Sequence, residues 1–102
     1  QGTCPVGLDA PGYIALIKES NFEQACRVIM QRLPLPLSVG RVCPHPCESK
    51  CRRQQVEEPI AIRHLHRFAV DYAFEHGFEY TPQIKEWKKD KIAIVGAGPA
   101  GL

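Results

Sequence analysis

Several features that would assign a chain of this size to a familiar class are missing from the sequence. No run of apolar residues approaches the roughly 20 residues that a membrane-spanning helix needs. The net charge is only +2, so there is no basic excess of the kind that binds nucleic acid or an anionic membrane. These absences argue against a membrane protein and against a nucleic-acid partner.

The cysteines do not show the two arrangements that most often stabilise small domains, a zinc site or a set of disulfide bonds. Zinc sites usually have paired C-x2-C knuckles, and the sequence has none. A disulfide framework is disfavoured because the count of five is odd and no signal peptide heads the chain, although one could have been removed before Gln1. Free thiols without a secretory signal predict a cytoplasmic protein.

What the sequence does have is a dense group of cysteines in the motif RVCPHPCESKC of residues 41–51. Thiolates at short spacing on a chain stiffened by proline suit iron–sulfur clusters. We expect Cys43 to lie in an extended loop and a helix from near Pro46 to carry Cys47 and Cys51 on one face, where the three cysteines could share one cluster. Three basic residues could offset the cluster's negative charge: Lys50, Arg52 and Arg53. In a chain of only 102 residues, a bound cluster would also stabilise the fold by linking separate parts of the chain.

The first part of the chain is predicted to hold two short helices. Residues 9–19 form the first, with a proline in its first turn. Residues 20–32 form the second, opened by a capping box with Ser20 at the cap. Cys26 lies on its apolar stripe and is interpreted as a small buried hydrophobe. Residues 33–39, LPLPLSV, are predicted to be extended, since two prolines alternate with apolar residues.

A long helix is predicted for residues 59–76, closed by Gly77. Its expected core stripe is Ile62, Leu65, Phe68, Ala69, Tyr72 and Ala73. His64 and His66 lie outside the densest part of that stripe. A lone histidine on a helix more often faces solvent or has a satisfied hydrogen-bond partner than binds a metal. Trp87, in the connector that follows, is expected to pack on the helices.

Residues 91–102, KIAIVGAGPAGL, combine a short apolar run with a glycine-rich turn. The run at 92–95 is predicted to be a strand leading into G-x-G-x-x-G, the dinucleotide-binding fingerprint of a Rossmann-like βα unit. The expected cofactor-contacting residues are Gly96, Gly98, Pro99, Ala100 and Gly101. We therefore expect a helical metal-binding domain at 1–90 and the start of a truncated nucleotide-binding domain at 91–102, with the turn at 96–101 frayed.

Five stretches in this order carry a resemblance: CPVGLDAPGYIALIKESNFEQA, LPLP, GRVCPHPCESKC, PIAIRHLHRFAVDYA and KIAIVGAGPAGL. The chain resembles the N-terminal iron–sulfur domain and the start of the FAD domain of the glutamate synthase small-subunit family, which includes the N-terminal part of dihydropyrimidine dehydrogenase. The resemblance implies an all-α, helical ferredoxin-like domain with two 4Fe–4S clusters that relay electrons between a flavoprotein and a redox partner.

The resemblance also implies a different use of the cysteines. Cys4, Cys43 and Cys47 would bind one cluster, together with His66, which stands where the family has glutamine or glutamate. Imidazole can bind iron. Cys51 would bind the second cluster, whose other three ligands precede the first cysteine in the family and are missing from this chain.

The function implied is electron transfer within an oxidoreductase that uses FAD and NAD(P)H. Those two cofactors belong to the full-length protein, and the 102 residues alone are not expected to catalyse a reaction. An alternative of a different class is a cluster-free helical docking module between the flavoprotein and its partner subunit.

Overall fold

The computed structural model describes residues 2–102. It confirms the predicted all-α architecture, and no strand is present in that part of the chain. The four α-helices are α1 (Ala10–Lys18), α2 (Phe22–Met30), α3 (Pro36–Val42) and α4 (Ile62–Glu75). Two short 3₁₀ turns, Glu48–Lys50 and Arg52–Gln55, lie between α3 and α4. None of the helices in the described residues is long and apolar enough to cross a membrane.

The first two helices begin at side-chain caps, but one cap differs from the prediction. Asp9 accepts a hydrogen bond from the Gly12 N–H at 3.2 Å and opens α1. Asn21, not Ser20, caps α2, since its side-chain oxygen accepts a hydrogen bond from the Gln24 N–H at 3.3 Å. Ser20 has a φ of 59° and turns the chain between α1 and α2. The prediction of Ser20 as the cap is wrong because asparagine caps equally well one residue later.

The prediction that residues 33–39 are extended is also wrong. Helix α3 occupies most of this segment and begins at Pro36. Proline is well tolerated in a first helical turn because its missing N–H has no intrahelical partner there. Pro34 precedes the helix, so the alternating prolines mark a helix start here. The helix carries Cys43 at its C-terminal end.

The helix predicted from Pro46 is not formed. Cys51 interrupts the two 3₁₀ turns with an extended ψ of 123°, so Cys47 and Cys51 do not share a helical face. Side chains engage the carbonyls of this segment. The Ser49 hydroxyl donates to the Pro46 carbonyl at 2.8 Å, and the Gln54 amide donates to the Ser49 carbonyl at 3.0 Å. Such local bonds compete with helical ones.

Helix α4 is central to the fold because it contacts all three other helices. Gly77, with a φ of 76°, ends it as predicted. Its buried face is rotated from the expected stripe: Phe68 is 48% exposed, whereas His66 is buried at 4% exposure beside the fully buried Val70. The prediction that His66 lies outside the densest part of the core stripe is therefore wrong for the buried face of α4, because three neighbouring helices bury more of this helix than one stripe.

Residues 79–102 contain no helix or strand. The strand predicted at 92–95 is not formed, since the described residues offer no other strand with which it could pair. Trp87 is 83% exposed, so the prediction that it packs on the helices is wrong. The buried core therefore lies entirely within residues 8–78.

Candidate metal centre

A cavity of about 310 Å³ lies between the N-terminal segment, the end of α3 and the beginning of α4. Its lining residues include Cys4, Cys43, Cys47 and His66. Apolar side chains form much of the remaining wall, among them Leu8, Leu33, Val39 and Ile62. The structure thus brings together the four side chains that the resemblance grouped, from three separate parts of the chain.

Turns and helix ends position the three thiols. Cys43 directly follows α3, and its N–H donates to the Val39 carbonyl at 3.0 Å. Cys4 begins a turn in which its carbonyl accepts the Gly7 N–H at 2.9 Å. Gly7 has a φ of 67°, which favours glycine at this turn. Cys47 precedes the first 3₁₀ turn. All three therefore lie at points where the chain changes direction.

His66 shows an unusual pattern of hydrogen bonding. Its Nε2 atom is buried and has no hydrogen-bond partner within residues 2–102. The backbone of Pro36 acts on the ring in the direction that raises the pKa of His66. Proline offers only a carbonyl, and a neutral imidazole that donates one N–H to a carbonyl keeps a lone pair on its other nitrogen. Burial lowers the pKa of His66 and favours the neutral ring. A neutral imidazole with its second nitrogen fixed by a carbonyl is the usual state of a histidine metal ligand.

The thiols are close enough to influence one another electrostatically. Burial raises the pKa of Cys47, and the charges of Cys43 and Cys4 raise it further. The pKa of Tyr13 is raised by burial and then by the same three cysteines. The Cys43 sulfur accepts a hydrogen bond from the His45 N–H at 3.3 Å. Thiolates gathered in this way repel one another, so bound iron would stabilise them.

The geometry favours a cluster over a single ion. Among residues 2–102, no group of three or more histidine, cysteine, aspartate or glutamate side chains is close enough to hold one metal ion. The three thiols and His66 instead surround a cavity with room for several atoms. An iron–sulfur cluster, whose iron atoms each take one protein ligand, fits this donor set.

Cys51 lines a neighbouring cavity of about 280 Å³. The two cavities share part of their walls, including Cys4, Cys47 and Tyr13. The backbone N–H of Ile60 makes the largest contribution to lowering the pKa of Cys51, and the backbone N–H of Arg53 makes the next largest. Cys51 therefore has a lowered thiol pKa and lines the second cavity but not the first.

The remaining cysteine, Cys26, lines neither cavity. Cys26 is fully buried, as the apolar stripe of α2 predicted. Burial raises its pKa to about 11, so the thiol stays protonated and behaves as a small hydrophobe.

These environments predict an order of thiol alkylation in metal-free protein. Cys51 should react first with iodoacetamide at about pH 8, because the thiolate is the nucleophile and its pKa is lowered. Cys26 should react last, because it is buried and its pKa is raised. Peptide mass spectrometry over a time course measures both rates. Protein unfolded in denaturant serves as the control, and in it Cys51 and Cys26 should be alkylated at similar rates. Equal alkylation rates in the folded protein would contradict the described packing.

The glycine-rich turn lies away from this centre, and its residues line neither cavity. Gly96 has a φ of 113°, and a Cβ at Gly101 would collide with the Gly96 carbonyl oxygen. The N–H groups of Gly101 and Leu102 both donate to the Gly98 carbonyl, at 2.9 and 3.2 Å. Glycine at 96 and 101 is therefore required by the turn itself. Pro99 and Ala100 complete the turn.

The profile of one protein family matches residues 1–78, and that family is described as dihydropyrimidine dehydrogenase domain II, 4Fe–4S cluster. The chain belongs to this family. Its cofactor is a 4Fe–4S cluster, and the domain transfers electrons through iron–sulfur chemistry, as the resemblance implied.

Three curated relatives place this 4Fe–4S domain in larger proteins. The chain is 48% identical to the NADPH-Fe(3+) oxidoreductase subunit beta of Geobacter sulfurreducens. It is 42% identical to the NADP(+)-dependent formate dehydrogenase subunit beta of Moorella thermoacetica. It is 40% identical to the NAD-dependent dihydropyrimidine dehydrogenase subunit PreT of Escherichia coli. Each match covers 97% of this chain but only 15%, 17% and 24% of the respective relative.

Sequence reasoning missed three residues around the candidate site. Tyr13 is buried between the two cavities, and its hydroxyl donates to the Ile62 carbonyl at 3.3 Å. Glu48 and Arg63 join the cysteine loop to α4 through hydrogen bonds. The one signal for Glu48 in the sequence is its position as a charged residue between Cys47 and Cys51. The other two depend on contacts between distant parts of the chain.

Proposed function

We propose that Cys4, Cys43, Cys47 and His66 bind one 4Fe–4S cluster, which carries electrons between a flavin-containing part of the full-length protein and a redox partner. The observation that carries this ligand set is that His66, whose buried Nε2 has no hydrogen-bond partner within the described residues, lines the same cavity as Cys4, Cys43 and Cys47. A buried nitrogen without a partner is costly unless it binds something.

The chain's own residues account for much of the environment that such a cofactor needs. The cluster, when bound, supplies the one-electron redox chemistry. Three thiolates and one neutral imidazole hold it, and the apolar wall restricts water. The His45 N–H bonded to the Cys43 sulfur withdraws charge from that ligand. Replacing a thiolate by a neutral imidazole raises the reduction potential, so this cluster should accept electrons more readily than an all-cysteine one.

The rest of the proposal concerns the full-length protein. Cys51, on the second cavity, is a ligand of a second cluster completed by residues outside this chain. Residues 91–102 begin an FAD-binding domain whose glycine turn, 96–101, approaches the cofactor's pyrophosphate. The electron donor is NADH or NADPH, and the partner is another subunit. Support comes from the relatives, which are named as NAD(P)-dependent oxidoreductase subunits. We place the protein in the cytoplasm.

Substitution of His66 tests the ligand set. After anaerobic reconstitution, His66→Ala should release the cluster faster than the parent, because one iron loses its protein ligand. His66→Cys should retain the cluster but lower its potential, since a charged thiolate replaces a neutral ring. Iron and sulfide content, visible absorption and a redox titration followed by electron paramagnetic resonance measure these effects.

The matched control is His64→Ala, because His64 lies on the same helix and is exposed. It should behave as the parent. Equal iron content and equal potential in His66→Ala would show that His66 is not the fourth ligand. A parent without cluster absorption would instead favour the cluster-free docking module.

A further inference from the structure

The residue that follows Cys47 is tied to the start of α4. Glu48 lies in the cysteine loop, and its side chain is only 17% exposed. Its Oε1 atom accepts a hydrogen bond from the Arg63 N–H at 2.9 Å. Its Oε2 atom lies 3.1 Å from Nδ1 of His45. The carboxylate therefore joins two points of the cysteine loop to the first turn of α4.

Arg63 contacts the other end of the same loop. Its Nη1 donates to the Cys43 carbonyl at 3.1 Å. Residue 63 thus holds the loop at two places, through its backbone to Glu48 and through its guanidinium to Cys43. We call these two hydrogen bonds the Glu48–Arg63 latch.

The latch also completes the start of α4. The residue at the N-cap position, Ala61, has no side chain that can cap the helix. Instead of a side chain at position 61, the Glu48 carboxylate accepts the hydrogen bond from the Arg63 N–H in the first turn. A negative charge at this end of a helix is also favourable. His66 follows Arg63 by three residues, which places both on neighbouring positions of one helical face. A rigid helix therefore connects the latch to the imidazole.

We propose that the Glu48–Arg63 latch sets the distance between the cysteine loop and His66, which makes Glu48 a positioning residue for the histidine ligand. Without the latch, the loop bearing Cys43 and Cys47 can move relative to α4, and Nε2 of His66 no longer meets the iron held by the thiols. This inference rests on the proposed ligand set.

The test is direct detection of the histidine nitrogen in the reconstituted full-length protein. Pulsed electron paramagnetic resonance of the reduced cluster should show a nitrogen coupling in the parent that is absent in His66→Ala. Glu48→Ala should weaken or abolish that coupling and shift the potential toward that of His66→Ala. Glu48→Gln should restore both, because its amide oxygen can still accept the Arg63 N–H. Cluster loss to a chelator should be about 10-fold faster in Glu48→Ala, as for other residues that orient metal ligands.

Two further variants complete the design. Glu57→Ala is the matched control, because Glu57 is an exposed carboxylate paired with Arg53, and it should match the parent. Arg63→Met removes the bond to the Cys43 carbonyl but keeps the backbone N–H, so it should weaken the nitrogen coupling even if Glu48→Ala does not fold. Circular dichroism establishes folding for each variant.

The outcomes separate the two proposals. A parent without nitrogen coupling overturns the ligand set and the latch together. A parent with nitrogen coupling that persists unchanged in folded Glu48→Ala overturns the latch alone. If Glu48→Ala is unfolded, an unchanged coupling and potential in Arg63→Met overturn it. Loss of the coupling in Glu48→Ala with recovery in Glu48→Gln supports the latch.

Discussion

Replacing Cys47 by alanine is expected to remove one cluster's iron and sulfide from the protein while leaving the helices in place. The charges of Cys43 and Cys4 both act on Cys47 and raise its pKa. Cys47 also lines both cavities. Without its thiolate, one iron would be open to solvent, and the two remaining thiols could not hold the cluster against loss. Iron and sulfide analysis after anaerobic reconstitution measures this effect.

The helices should survive this substitution because their contacts do not depend on the metal centre. Helices α1, α2 and α4 pack around side chains such as Ala25, Ile29 and Ala73, which are fully buried. Far-ultraviolet circular dichroism should therefore retain most of the parent's helical signal. Removal of iron by a chelator should likewise leave the helices formed.

Cys26→Ala is the control for Cys47→Ala, since it removes a thiol that lines neither cavity. It should keep its full iron content. Parental iron and sulfide in Cys47→Ala would rule out Cys47 as a ligand. Complete loss of helical signal would show that the cluster is required for folding.

The largest expected effect on stability comes from Ile29→Ala. Ile29 is fully buried on α2, in the core that α2 forms with α4. Removing a fully buried isoleucine side chain to alanine costs about 2–5 kcal/mol, from lost burial and the cavity left behind. That is a large share of the roughly 5–15 kcal/mol that stabilises a typical domain. Chemical denaturation followed by circular dichroism measures it.

Val56→Ala serves as the comparison, because Val56 is 84% exposed. Its effect should stay within about 0.5 kcal/mol, as for most surface substitutions. If Ile29→Ala were as mild as Val56→Ala, the packing of α2 against α4 would not contribute to the stability of the folded state.

The sequence predicted the helices whose ends carry strong local signals. The proline in the first turn of α1 and Gly77 after α4 both act through the backbone of a few neighbouring residues. Helix α3 was missed because Pro36 suits a first turn as well as an extended chain, and only packing decides between them. The loop after Pro46 was misread because side-chain hydrogen bonds from Ser49 and Gln54 compete with helix formation.

The candidate site depended on the resemblance more than on spacing. Spacing alone grouped Cys43 and Cys47 with Cys51, which the structure places on the second cavity. Cys4 is 39 positions before the nearest of these cysteines, and no local pattern joins them. The apolar pattern puts His66 outside the densest part of the core stripe because periodicity along α4 does not include the helices packed across it. Such positions are determined by tertiary contacts between distant segments.

The wall between the two cavities limits how each can change during evolution or design. Tyr13, Cys4 and Cys47 belong to both linings, so a larger side chain at Tyr13 would narrow both spaces and a smaller one would merge them. Two sites built in this way cannot be reshaped one at a time through their common wall. Independent adjustment has to use groups that serve only one side, such as the His45 N–H near Cys43 or the Ile60 N–H near Cys51.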